Sequence, residues 1–168
     1  LIPQKGVHVL IEALRGLDAG LVVVGFGPER AALETLAAEL GIDALFTGPL
    51  EHRHLRHLLA LADACVVPSV FPEAFGMVAA EAAATGCPPV VARHSGLAEI
   101  AAGLEADLPP ALGRLVSSPA GDAAALHERL ASLLALPEAD RAVLRAGVRR
   151  AVELRWSWAS VASQLIEL

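Results

Sequence analysis

At 168 residues the chain has the size of one ordinary domain, long enough to bury a core without metals or disulfides. Its net charge of −6, with acids and bases interspersed, excludes a broad phosphate-backbone footprint and with it nucleic acid as a partner. More than half of the residues are apolar, but alanine supplies much of that share. No run of about 18 apolar residues is free of charge, so a membrane-spanning helix is excluded.

The opening residues, Leu1-Ile2-Pro3-Gln4-Lys5, carry neither an initiator methionine nor a signal-peptide pattern and read as the continuation of a longer polypeptide. Val7, Leu10, Ile11 and Leu14 then fall at helical spacing. Strands are expected at Leu21–Val24, Leu45–Thr47, Ala64–Val67, Pro89–Val91 and Arg114–Val116. They recur about every 20–25 residues, the length of one βα unit.

Between them, Leu33, Leu36, Ala37 and Leu40 form a second helical stripe, with Pro28 suited to the first turn of that helix and Gly41 to its end. A further helix starts near Gly76 and stops at Gly86 and Pro88. His52, His54 and His57, interleaved with Arg53 and Arg56, read as a solvated basic face rather than a metal site. Pro109-Pro110 marks Glu105–Leu112 as a loop. Asp122 is placed to cap a helix striped by Leu126, Leu130, Leu133 and Leu134. The last three helices are expected over Asp122–Ala135, Pro137–Leu154 and Ser157–Glu167, and Trp156 and Trp158 are expected to anchor the terminal one.

Nearly all-apolar strands separated by helices predict an α/β fold, with a doubly wound, Rossmann-like parallel sheet covered on both faces. Ligands in such sheets bind at the carboxyl ends of the strands, so the loops after Val24, Thr47, Val67 and Val91 are the ones expected to matter. Cys65 and Cys87 lie in or beside strand-like stretches, which suits buried thiols in a reducing, cytoplasmic compartment.

The segment richest in chemistry is Pro68-Ser69-Val70-Phe71-Pro72-Glu73-Ala74-Phe75-Gly76-Met77-Val78-Ala79-Ala80-Glu81-Ala82. It leaves a buried strand and enters a helix whose first amides lack partners and carry partial positive charge, a setting for a diphosphate. Gly76 lets a ligand approach the main chain closely. Glu73 and Glu81 are expected to face one crevice and to accept hydrogen bonds from vicinal sugar and ribose hydroxyls. Gly25 and Gly27 form a Gly-x-Gly after a strand without the third glycine of a dinucleotide fingerprint, and read first as a strand-to-helix turn. Arg93-His94-Ser95 reads as a structural loop at the functional edge, and Glu99 as a first-turn acid favouring the helix dipole.

Glu73-x7-Glu81 within this segment, followed by Ala84-Thr85-Gly86-Cys87-Pro88-Pro89-Val90-Val91-Ala92, resembles the signature of the retaining GT-B glycosyltransferases known as group 1 or family 4. Gln4-Lys5-Gly6-Val7, Val24-Gly25-Phe26-Gly27-Pro28 and Phe46-Thr47-Gly48 extend the resemblance. So do Ser95-Gly96-Leu97-x-Glu99, where one Gly of the family pattern is replaced by Ser, and Gly113-Arg114-Leu115-Val116 with Pro119-Ala120-Gly121-Asp122.

The resemblance implies the C-terminal half of a GT-B fold, binding a nucleoside diphosphate sugar for retaining transfer. Residues 1–155 would form the nucleotide-sugar-binding domain, and residues 156–168 a terminal helix crossing toward an N-terminal, acceptor-binding domain. Lys5 would neutralise the diphosphate together with an Arg lying before Leu1. Glu73 would hold the transferred sugar and Glu81 the ribose; main-chain groups around Phe75, Gly76, Met77 and Val78 would contact sugar and phosphates; Gly25, Gly27 and Gly48 would border the donor.

Lys5 and Glu73 carry the catalytic roles. No cofactor and no metal are expected, and peripheral membrane contact of the intact enzyme is left open. The alternatives are a GT-B sugar-nucleotide epimerase, separable by product analysis without acceptor, and a non-catalytic nucleotide-binding module.

Overall fold

The computed structural model describes residues 1–166, side chains at 164 and 165 excepted. A 3-10 turn at Pro3–Lys5 leads into α1 (Val7–Ala13), and the chain then alternates β1 (Leu21–Val24), α2 (Arg30–Glu39), β2 (Ala44–Gly48), α3 (His52–Leu61), β3 (Cys65–Val67), α4 (Met77–Ala84), β4 (Pro89–Ala92) and α5 (Ser95–Asp107). It closes with α6 (Pro110–Gly113), β5 (Ser117–Ser118), α7 (Ala123–Leu134), α8 (Glu138–Arg155) and α9 (Trp158–Ile166).

Local chemistry accounts for several boundaries. Gly41 leaves α2 in a left-handed conformation, φ 69°. Asp122 caps α7, its carboxylate accepting from the Ala125 amide at 2.9 Å. Pro28 sits in the turn before α2 and not in its first helical turn, because the helix starts only at Arg30.

Every strand pairing is parallel, as the apolar strands predicted. All four residues of β4 are buried, which requires helices on both of its faces. Ile11 of α1, Val90 and Val91 of β4, Leu97, Ile100 and Leu104 of α5, Leu133 of α7 and Leu144 and Val148 of α8 are among the fully buried residues of the one large core. The α/β class and parallel strands are those expected. The sheet, however, comes in two parts, β1–β2 and β3–β4–β5. Among the described residues β1 and β3 each leave one edge unpaired. A groove of about 590 Å³ lies between them, lined by Val22 and Val24 on one side and Cys65 and Val66 on the other, with Leu10 of α1 and Val78 of α4 also reaching it.

Two expectations near the last strand are corrected. The strand is not Arg114–Val116 but Ser117–Ser118. The Leu115 and Val116 amides turn back to the Leu112 and Gly113 carbonyls at 3.0 and 3.2 Å, so this apolar pair finishes the turn of α6. The supposed loop Glu105–Leu112 is instead helical on both sides of Leu108: α5 runs to Asp107, and Pro110 opens α6 at a first-turn position where its missing N–H has no consequence.

At the far end, Trp156 packs edge-on against Phe75 with ring centroids 5.9 Å apart. It also crowds Gly103, where an added Cβ would come within 2.7 Å of the indole ring. Trp156 therefore ties the end of α8 to α5 and to the loop before α4. Trp158 and Ile166 stand largely exposed on α9, so Trp158 anchors nothing. Glu167, at the expected end of that helix, lies outside the described residues. Among the described residues no helix is long and apolar enough to cross a membrane.

Candidate functional site

Three segments meet at the carboxyl ends of β3 and β4, and each is held there by backbone. The Pro3–Lys5 turn ends at Gly6, whose left-handed conformation (φ 65°) starts α1. A Cβ at Gly6 would collide with the Pro68 carbonyl, 2.9 Å from its carbon. The Val70 amide donates to the Gln4 carbonyl at 2.9 Å, docking the turn on the loop after β3. From the other side, the start of α5 presses on the same loop. A Cβ at Gly96 would lie 2.6 Å from the Ala74 carbonyl carbon and 2.7 Å from Phe75 Cα. The Gly96 amide donates to the Glu73 carbonyl at 3.0 Å.

This convergence brings Lys5 and Glu73 together across 68 residues of sequence, Lys5 Nζ donating to Glu73 Oε1 at 2.5 Å. The hydroxyl of Ser69, a residue only 1% exposed, donates to the same carboxylate oxygen at 2.7 Å. Partial burial pushes the Glu73 carboxyl up. Hydrogen bonds from Lys5 and Ser69, with the charges of Lys5 and His94, outweigh it and hold the group below its ordinary range. A carboxyl with a lowered folded-state value stabilises fully above its unfolded value and loses that contribution as pH falls through the lowered one. Titration of the Glu73 carboxyl carbon by NMR is expected to show a midpoint below that of an exposed Glu; an ordinary midpoint would mean the contacts do not persist in solution.

Gly76 takes φ 96° at the start of α4, and a Cβ there would strike the Leu97 side chain. Among the described residues no protein acceptor engages the amides of Phe75, Gly76, Met77 and Val78, which leaves the helix terminus open. Met77 and Val78 are themselves exposed. Fixed N–H dipoles, a lysine and a carboxylate thus share one end of α4. Such a set can receive an anion beside hydroxyl groups.

The other expected residues lie farther out. Glu81, on the α4 face it shares with Val78, does not join the Lys5–Glu73 cluster. Its charge, after burial, helps push the Cys65 thiol up to about 11. Neither Glu73 nor Glu81 lines the groove between the sheets. Lys5 and Ser69 hold Glu73 just before α4, and Glu81 lies eight residues on, within the helix. Gly25, directly after β1, donates its amide to the carbonyl of Gly48, the last residue of β2, at 2.8 Å. Leu1 rests in the Gly25–Gly27 turn, its carbonyl accepting from the Glu29 amide at 3.2 Å. Arg30 lies over the Phe46 ring and donates to the Phe46 carbonyl at 2.9 Å. Leu1–Gly6 thereby spans from the β1 turn to the β3 loop.

Sequence reasoning assigned no role to Ser69, and none to Gly6 and Gly96 as close-approach glycines. A small hydroxyl two residues after an apolar strand is the available signal for the first; the others are apparent only once the segments meet. Arg93-His94-Ser95 proves to hold the site from behind. His94 Nε2 lies 2.6 Å from the Ser69 carbonyl, and the Ser95 hydroxyl accepts from the Glu73 amide at 3.0 Å. Arg93 turns away to Glu105 and Ser117. The three histidines of α3 are exposed, and among the described residues no group of three or more His, Cys, Asp or Glu is arranged to hold a metal ion.

Comparison with known proteins bears on this arrangement. The family model described as Glycosyl transferases group 1 matches residues 1–150. The chain is 33% identical, over its whole length and 44% of the relative, to a GDP-mannose-dependent monoacylated alpha-(1-6)-phosphatidylinositol monomannoside mannosyltransferase of Corynebacterium glutamicum. Among solved structures it is similar to sucrose-phosphate synthase of Thermosynechococcus elongatus, with TM-score 0.82 and 30% identity over 99% of this chain and 42% of that one. It shares the fold of Anabaena HepE, solved with UDP and glucose, with TM-score 0.84 and 24% identity over 99% of this chain and 45% of that one. The chain thus spans less than half the length of these proteins.

Proposed function

Because the chain belongs to the group 1 glycosyl transferases, we propose that residues 1–155 bind the nucleoside diphosphate sugar donor of a retaining transfer. Residues 156–168 then reach toward an acceptor-binding domain of the same protein. The observation that carries the reading is the Lys5–Glu73 pair at the open end of α4. Lys5 is 52% and Glu73 23% exposed, and a pair so accessible to water contributes at most about 1 kcal/mol. A ligand that offers each partner something better can part them. A diphosphate suits Lys5 and the amides of Phe75 to Val78; a sugar ring suits Glu73. Glu81 then serves the ribose hydroxyls, and Gly25, Gly27 and Gly48 border the rest of the donor.

Catalysis on this reading is stabilisation of the departing diphosphate. Charge develops on the leaving oxygens as the glycosidic bond breaks, and pre-oriented amides and an ammonium group meet it without reorganisation. No metal ion is required for that role. GDP-mannose dependence in the Corynebacterium relative supports a nucleotide sugar as the donor class.

The test is a melting-temperature series for the chain with UDP, GDP, ADP and their sugar conjugates at millimolar concentration. Ligand at about ten times Kd stabilises by about 1.4 kcal/mol through mass action. At least one nucleotide is expected to raise the melting temperature, and Lys5→Ala to remove the response. An equal response in wild type and Lys5→Ala would detach the diphosphate from this site.

A further inference from the structure

Ser95 is the one residue other than glycine with positive φ among the described residues, at 47°. L side chains adopt that backbone only with strain, and a glycine would adopt it freely. A serine there must therefore gain something through its hydroxyl. Its hydrogen bonds say what. The Ser69 carbonyl can only accept, so His94 Nε2, 2.6 Å away, carries the ring proton. The other ring nitrogen, Nδ1, lies 3.0 Å from the Ser95 hydroxyl, whose oxygen accepts the Glu73 amide at 3.0 Å. Ser69 in turn donates to the Glu73 carboxylate at 2.7 Å. One circuit thus runs from the Glu73 main chain through Ser95, His94 and Ser69 to the Glu73 side chain.

We propose that Ser95, oriented by His94, is a positioning residue that fixes the Glu73 peptide so that its carboxylate stays aimed at the donor sugar. The circuit holds Glu73 without using Lys5. It therefore survives when a diphosphate draws Lys5 away, which is when the carboxylate must hold its direction alone. This role rests on the donor reading above.

The experiment uses the 168-residue chain with Ser95→Gly, which keeps the left-handed backbone without strain but removes the hydroxyl. Its melting temperature is expected to stay level or rise, while the Glu73 carboxyl titration moves toward the ordinary carboxylate range because the Ser69 and Lys5 contacts loosen. A purely structural serine would give the reverse, a lower melting temperature with an unchanged Glu73 midpoint. That result, or an unchanged midpoint at any stability, overturns the proposal. Ser95→Asn is the second variant: Asn tolerates this backbone and offers an amide oxygen to the Glu73 N–H, so it is expected to restore the low midpoint at least in part.

GDP-mannose and GDP serve as probes for the link to function. The extra melting shift of the sugar conjugate over GDP is expected to vanish in Ser95→Gly while the GDP response persists. Wild-type chain that responds to neither probe nor to the other nucleotides would count against the donor reading and leave the titration result to judge Ser95 on its own.

Discussion

Glu73→Ala in the intact enzyme is expected to lower turnover by about a hundredfold, the scale of loss when a reacting group is no longer held in place, with a much smaller effect on folding. Two features of the site separate the effects. The Lys5–Glu73 pair is too exposed to hold the domain together, so its removal leaves stability within about 1 kcal/mol. Ser69, buried at 1%, loses its acceptor, and water entering the space vacated by the truncated side chain can take that place. On the donor reading proposed above, the sugar has no such substitute for a carboxylate whose main chain is gripped by both Ser95 and the Gly96 amide. The fall should therefore appear mainly in kcat, as for an interaction that strengthens when the bond breaks. Steady-state kinetics beside thermal melting reads both quantities, and unchanged kcat and KM would remove Glu73 from the site.

Gly96→Ala is expected to destabilise the chain by about 2 kcal/mol, the middle of the range for overpacking, and so to lower its melting temperature by roughly 4–8 °C for a domain of this size. Helix propensity alone predicts the opposite sign. Gly96 lies in the first turn of α5, where alanine is favoured by up to about 1 kcal/mol. The close approach decides, because the new methyl group would meet the Ala74 carbonyl and Phe75 Cα, main-chain atoms that cannot swing aside. Relief requires the whole Glu73–Gly76 loop to lift, and with it the Lys5 contact. Nucleotide response and stability should therefore fall together, unlike in Glu73→Ala. A raised melting temperature would show that propensity, not contact, governs the position.

What could be read from the sequence follows from how local each cause is. β1 matches its expected span residue for residue, and α7 begins directly after the expected Asp122 cap, since an apolar run and a capping side chain act on their immediate neighbours. β5 was misplaced because Leu115-Val116 has strand chemistry, whereas the pairing falls to Ser117 and Ser118, whose burial is tolerable once Ser117 finds Arg93 and Glu105. The Pro109-Pro110 pair signalled a break correctly but hid the helical turn that Pro110 starts. At the site, the residue types in Pro68–Glu81 pointed to an anion beside hydroxyls. The ion pair itself, joining residues 68 positions apart, depends on Gly6 and Gly96 letting two helices seat against one loop. Close approach leaves no periodicity, so no pattern along the chain announces it.

The divided sheet has a consequence for how the polypeptide behaves among its neighbours. In the trough between β1 and β3, two ladders of N–H and C=O groups face each other across valine and cysteine side chains, and nothing along either rim repels a visitor: the lining includes no lysine or arginine, and its acids, Asp18 and Asp63, lie toward the amino ends of the strands. Natural sheets blunt such rims with charge, proline or a covering element. Unpaired edges beside an apolar lining free of lysine and arginine are the features that favour pairing with another extended backbone, and they set this trough apart from the charged end of α4.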